Sequence, residues 1–204
     1  MRKKDLIRIV LICLLCVPLL LGSSYNNKVM VTETHSDSVV YTSSEIETDT
    51  NTVLFDSLLV ESIINEVDNH INKYTSKAPD SLARMITTIC LEHDIDICFA
   101  VAQTQLETCF GTAGIGLSNS RKSIFGVYKK YKTYEECIYS YCRLLRNSYL
   151  VKGRTEQDLM NNYVTYGNYR YAKNPDYEKS LKALYNKVKG TTKIYELQQQ
   201  YSKI

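Results

Sequence analysis

The sequence predicts a mainly α-helical domain, and three observations carry that prediction. Apolar residues recur three and four apart in one segment after another, the spacing that gathers them on one face of a helix. Between those segments stand helix start and stop signals: Pro79-Asp80, Thr133 with Glu136, and Asn174-Pro175. Only Ser123 to Thr133, SIFGVYKKYKT, looks able to form a short hairpin or an irregular lobe. No internal repeat is visible.

Taken in order, residues 1–24 predict an export signal. Arg2, Lys3, Lys4 and Arg8 precede an apolar run from Ile9 to Gly22, and Gly22-Ser23-Ser24 supplies small residues suited to cleavage before Tyr25. The alternative is an uncleaved anchor that associates with a membrane through residues 6–22, short as that is for spanning a bilayer. Leu15 stands before Cys16 where lipidation would want a small residue. Residues 25–53 are rich in Ser, Thr and Asn without a sustained period, which predicts a disordered linker. The folded domain is then expected over 54–189, with a polar C-terminal tail at 190–204.

Within that domain, Phe55 to Tyr74 carries Val60, Ile63, Ile64, Val67, Ile71 and Tyr74 at helical spacing, and Leu82, Met85, Ile86, Ile89 and Cys90 repeat it. A mostly apolar helix over Ile97 to Phe110 follows, with Asp94 or Asp96 available to cap it. Thr133 and Glu136 form a capping box for a helix through Tyr149, whose apolar face is Ile138, Tyr141, Cys142, Leu145 and Tyr149. Thr155 and Asp158 open a shorter helix, and Asn174-Pro175 opens one with Leu181, Leu184, Tyr185 and Val188 inward.

Composition narrows the function. The formal net charge of +3 is carried by residues 1–24, so the rest of the chain is close to neutral, and a basic field for nucleic acid is not indicated. His35, His70 and His93 are scattered, with no zinc-type Cys or His spacing and no HExxH, so no metal or other cofactor is expected. Cys13 and Cys16 fall in the signal, and Cys90, Cys98, Cys109, Cys137 and Cys142 leave an odd number on predicted apolar faces. Buried free thiols are expected ahead of a disulfide framework.

Glu107 closes the apolar run ICFAVAQTQLETCFG and is followed by Gly111, Gly114 and Gly116. On a helix, Gln103 and Glu107 share a face, and the glycines end the helix just past the carboxyl. A helix C-terminus and an apolar wall both disfavour ionisation. That combination makes a general acid, although a solvated glutamate at a helix end is the commoner outcome for such a residue.

The motifs around Glu107 resemble a known family. AQTQLETCFG, then SIFGVY, then the Tyr- and Glu-rich YKTYEECIYSYCRLL, then YGNYRYAKNPDY are similar, in that order, to the conserved blocks of glycoside hydrolase family 73, the peptidoglycan endo-β-N-acetylglucosaminidases. The resemblance runs from about Leu54 to Lys189. It implies a lysozyme-like fold, with a helical body, a small β lobe and a groove between them. It also implies that Glu107 is the catalytic acid, that Tyr171 is the active-site tyrosine, and that Phe125 and Gly126 are the FG segment bordering the groove.

Sugar rings need flat apolar platforms and polar edges. This chain has no Trp and 17 Tyr, and Tyr128, Tyr166 and Tyr169, with Gln103, are the candidate substrate contacts, near Tyr131 and Tyr134. A glycosidase usually needs two carboxylates, yet Gly126 to Tyr134 holds no Asp or Glu. Glu135 and Glu136 are the nearest candidates, and the capping box already accounts for Glu136. Otherwise the substrate's own 2-acetamido group, or water held by Tyr171, must serve.

These features together predict an exported peptidoglycan hydrolase that cleaves after N-acetylglucosamine, placed in the periplasm, envelope or extracellular space, tethered to a membrane or carried by a phage. The alternatives are a muramidase or lytic transglycosylase on the same scaffold, or an inactive wall-binding or virion structural protein.

Overall fold

A computed structural model describes residues 50–117, 121–127, 129–161, 165–166, 169–171 and 175–203. The expected export signal or anchor and nearly all of the linker lie outside those residues, as does Tyr128. No helix among the described residues is long and apolar enough to cross a membrane.

The architecture is mainly helical. Helix α1 spans Thr50–Asn72, α2 Leu82–Glu92 and α3 Ile97–Thr108; after an irregular loop come α4 at Tyr134–Leu144, α5 at Glu156–Asn161, α6 at Pro175–Thr191 and α7 at Ile194–Tyr201. A single π-turn, Leu145–Tyr149, continues α4 and accounts for the expected extension to Tyr149. The first helix begins ahead of Phe55, inside the segment expected to be linker.

Helix α3 is the axis of the domain. Every residue from Ile97 to Ala102 is fully buried, so the first half of α3 has no solvent face and shows the all-round apolar character of a core helix. Helix α6 packs along it, with α2 and α7 as further neighbours; α1 lies against α2 and α7. Ile63, Val67 and Ile71 of α1, Ile86 of α2, Phe99 of α3, Ile138 of α4, and Leu181 and Val188 of α6 meet in one core. The positions predicted inward from periodicity are buried or partly buried, except Tyr74, which lies past the end of α1 and is exposed. All five described cysteines are free, and four of them are buried. Cys90 and Cys142 meet at 3.9 Å between α2 and α4.

Two expectations are corrected. Of the hairpin and the irregular lobe expected at Ser123–Thr133, the described residues take the irregular form, with bends and no strand, and what is corrected is that only this segment could pair. Their backbone is committed to the body instead, since the Ile124 carbonyl accepts from Thr108 Oγ1 at 2.7 Å and the Tyr131 amide donates to the Arg121 carbonyl at 3.0 Å. The strands among the described residues are Thr165–Tyr166 (β1) and Tyr169–Arg170 (β2), an antiparallel pair with Thr165 opposite Arg170.

The second correction concerns residues 190–204, expected to be a polar tail. Helix α6 continues to Thr191, and α7 docks on the core with Ile194 fully buried. Gln198 explains why. Its Oε1 accepts from the Ile97 amide at 2.9 Å and its Nε2 donates to the Ile95 carbonyl at 2.8 Å. A side chain that composition counts as polar thus satisfies buried backbone groups at the start of α3.

Candidate active site

The end of α3 is built by a sharp reversal. Cys109 caps the helix in the left-handed conformation at φ 46°, and Phe110 and Gly111 follow at φ 59° and 83°. Phe110 is driven into the core, fully buried, and Thr108 locks the turn by accepting from the Gly111 amide at 2.9 Å. Glu107 is thereby fixed in the last turn, half-buried, with a face left open.

Two groups confine its carboxyl. Tyr177, in the first turn of α6, donates its hydroxyl to Glu107 Oε1 at 2.5 Å. On the other side the backbone of Gly126, at φ +71°, lies flat against the carboxyl, where any Cβ would come within 2.9 Å of Glu107 Cδ. Burial pushes the Glu107 carboxyl above the ordinary range, and the Tyr177 hydrogen bond opposes part of that shift. The alignment of the last-turn carbonyls also disfavours a negative charge there.

One turn back on the same face, Gln103 organises the tyrosines. Its Oε1 accepts from Tyr141 Oη at 2.5 Å and also from Tyr171 Oη. Phe125 stacks on Tyr141 with centroids 3.6 Å apart and planes within 9°. Tyr171 is held edge-on to Tyr149 at 5.1 Å. Burial raises the Tyr171 hydroxyl far above the ordinary phenol range, so it acts here as a neutral donor.

Of the residues singled out from sequence, Glu107, Gln103, Phe125, Gly126 and Tyr171 come together in this cluster. Tyr166 and Tyr169 are register partners in the β1–β2 pair. Glu135 and Glu136 are exposed at the start of α4. There Thr133 Oγ1 accepts from the Glu136 amide at 3.0 Å, and Glu136 Oε2 accepts from the Lys132 amide at 2.7 Å, so Glu136 is spent on the cap. Among the described residues no hydrogen bond joins either glutamate to Glu107.

Tyr177 and Tyr141 went unnoticed as site residues. Tyr177 ends the YAKNPDY stretch and was legible there as a tyrosine one turn into a helix; Tyr141 looked only like part of an apolar face.

A carboxyl pushed upward by burial at the open end of a buried helix, framed by tyrosines, is equipment suited to a glycosidase built on a helical body. The chain belongs to the glucosaminidase family of glycoside hydrolases, family 73: the model of that family, described as mannosyl-glycoprotein endo-beta-N-acetylglucosaminidase, matches residues 83–190, more than half of the chain. No curated protein and no solved structure matches the chain.

Proposed function

We propose that this glycoside hydrolase is an exported enzyme that cuts the β-1,4 bond after N-acetylglucosamine in peptidoglycan strands, with Glu107 as general acid. The observation that carries the reading is the state of Glu107: half-open to solvent yet held above the ordinary carboxyl range by burial. A proton kept at that position is available to the glycosidic oxygen as the bond breaks. Tyr171, ordered by Gln103 and backed by the buried Tyr141 on the same acceptor, lies beside it as the aromatic group for the sugar.

The second half of the reaction has no carboxylate to call on between Glu107 and Glu135. The 2-acetamido oxygen of the substrate serves as internal nucleophile, and Glu107, once it has given up its proton, then takes one from the incoming water. The same shortage favours a second reading, a lytic transglycosylase, in which the 6-hydroxyl of muramic acid closes on C1 and one glutamate is both acid and base.

Product analysis separates the two. Digested and borohydride-reduced peptidoglycan should yield muropeptides ending in reduced N-acetylglucosamine. Anhydromuramic ends would make the enzyme a transglycosylase, and reduced muramic ends a muramidase. Glu107→Gln should lower wall hydrolysis by on the order of 10² to 10⁴ at unchanged thermal stability; hydrolysis at the wild-type rate would remove Glu107 from the mechanism.

A further inference from the structure

The chain beyond residue 24 is near neutral as a whole, but its charge is unevenly spread. Arg121, Lys122, Lys129, Lys130 and Lys132 fall in one loop, and no Asp or Glu lies between Glu107 and Glu135. The fold gives this loop two sides. Ile124 and Phe125 are buried, Gly126 meets Glu107, and the Tyr131 to Arg121 hydrogen bond closes the base. Lys129, Lys130 and Lys132 are exposed, and among the described residues no salt bridge engages any of them. Lys122 and Lys129 are steadied by ring faces instead, 4.9 Å over Tyr134 and 5.0 Å over Tyr131. Lys129 and Lys130, adjacent and exposed, repel one another, and an external anion relieves that repulsion.

We propose that Lys129 and Lys130, on the exposed side of this loop, bind the carboxylates of the peptide stems on wall glycan, at the sugar next to the bond being cut. The inference rests on the glycosidase reading above and names what that site selects. Stems hang from the lactyl ether of muramic acid, which is every second sugar, so whichever bond lies at Glu107 has a stem on one side. Lys129 and Lys130 follow Gly126 by three and four positions, which keeps them within roughly 14 Å of it along the chain. Phosphate polymers of the wall are attached to strands at wide intervals and hold no such register with a scissile bond.

The test compares kcat/KM of the purified protein on three strands: peptide-bearing, peptide-bearing with stem carboxylates amidated, and naked. At low ionic strength the peptide-bearing strand should be preferred by about ten-fold. The preference should shrink as salt shortens the reach of surface charge to about 8 Å or less, and it should largely vanish on amidated stems. Lys129→Gln with Lys130→Gln should reduce the preference to about two-fold, and the double change to Glu should reverse it; Lys203→Gln, at the far C-terminus, should leave it as in the wild type. Equal rates on peptide-bearing and amidated strands would overturn the proposal. So would a preference that survives amidation and disappears when wall phosphate polymers are stripped. If no strand is cut at all, the glycosidase reading fails separately. Co-sedimentation of the protein with peptide-bearing against amidated strands then still decides the loop's preference.

Discussion

Asp96 and Glu107 stand at the two ends of α3, and burial raises the carboxyl of each. At the N-terminal end Asp96 Oδ1 accepts from the Phe99 amide at 3.2 Å and Oδ2 from Tyr185 Oη at 2.8 Å. Lys189 adds a favourable charge, and the positive end of the helix favours the anion as well. At the C-terminal end Glu107 has the Tyr177 hydroxyl to oppose burial, and the helix end is negative. Burial alone therefore does not make a general acid. On the reading proposed above, the number of donors and the polarity of the helix end separate Asp96, a structural cap, from Glu107, the proposed proton source.

The largest break in this contrast short of removing the acid should come from Gly126→Ala. The methyl would occupy the space of the Glu107 carboxyl and would sit at φ +71°, where alanine is strained. Displacing the acid by about 1 Å costs on the order of 10²-fold in rate, and the strain costs about 1 kcal/mol or more of stability. A kcat loss far beyond the unfolded fraction, measured by glycan turnover beside thermal denaturation, is the expected result. Near-normal turnover would mean that the contact with Gly126 does not hold Glu107 in place. The equivalent crowding at Asp96 should touch stability and leave turnover alone.

The same contrast explains what the sequence made legible. Helices α1, α2, α4 and α6 followed from apolar spacing, and their inward residues from the same count. Thr133 was readable as a cap because a short polar side chain before an apolar run has few other uses, and the cap of α3 was readable as Asp94 or Asp96, of which the structure uses Asp96. Gln103 and Glu107 were readable as a pair from helix spacing, whereas Gly126 was readable only from the resemblance to a family, since its meeting with Glu107 depends on the loop after α3. Helix α7 was not readable: its anchor is Gln198, whose partners are backbone groups at Ile95 and Ile97, and no periodicity records that. Nor were β1 and β2, two residues each, too short to show alternation. Tyr177 was missed because its partner is 70 positions away.

At the N-terminal end, the expected effect is on stability. Gln198→Ala leaves the Ile97 amide and the Ile95 carbonyl without their partner in a buried place, a loss of about 2 kcal/mol. For a domain of this size Tm should fall by roughly 5 °C, with turnover below the transition unchanged. A Tm equal to the wild type would mean that α7 is held by its apolar contacts alone and that the backbone groups find other partners. An altered pH dependence of turnover would mean that the two ends of α3 are coupled.

The smallest effect should be the most specific. Tyr177 donates to Glu107, which favours the carboxylate and so works against the upward push of burial. Tyr177→Phe removes that donor and keeps the ring. A general acid works only while protonated, so activity is present below the pKa of Glu107 and lost as pH rises through it. With the donor gone that pKa rises further, and the alkaline limb of the pH profile should move to higher pH. The shift is expected to be small, because solvent reaches the half-open side of the carboxyl. A structural role for Tyr177 would lower activity at every pH and leave the limb in place. A limb that moves to lower pH would show that the hydroxyl sustains the protonated carboxyl, and that the contrast with Asp96 lies in geometry and not in the count of donors.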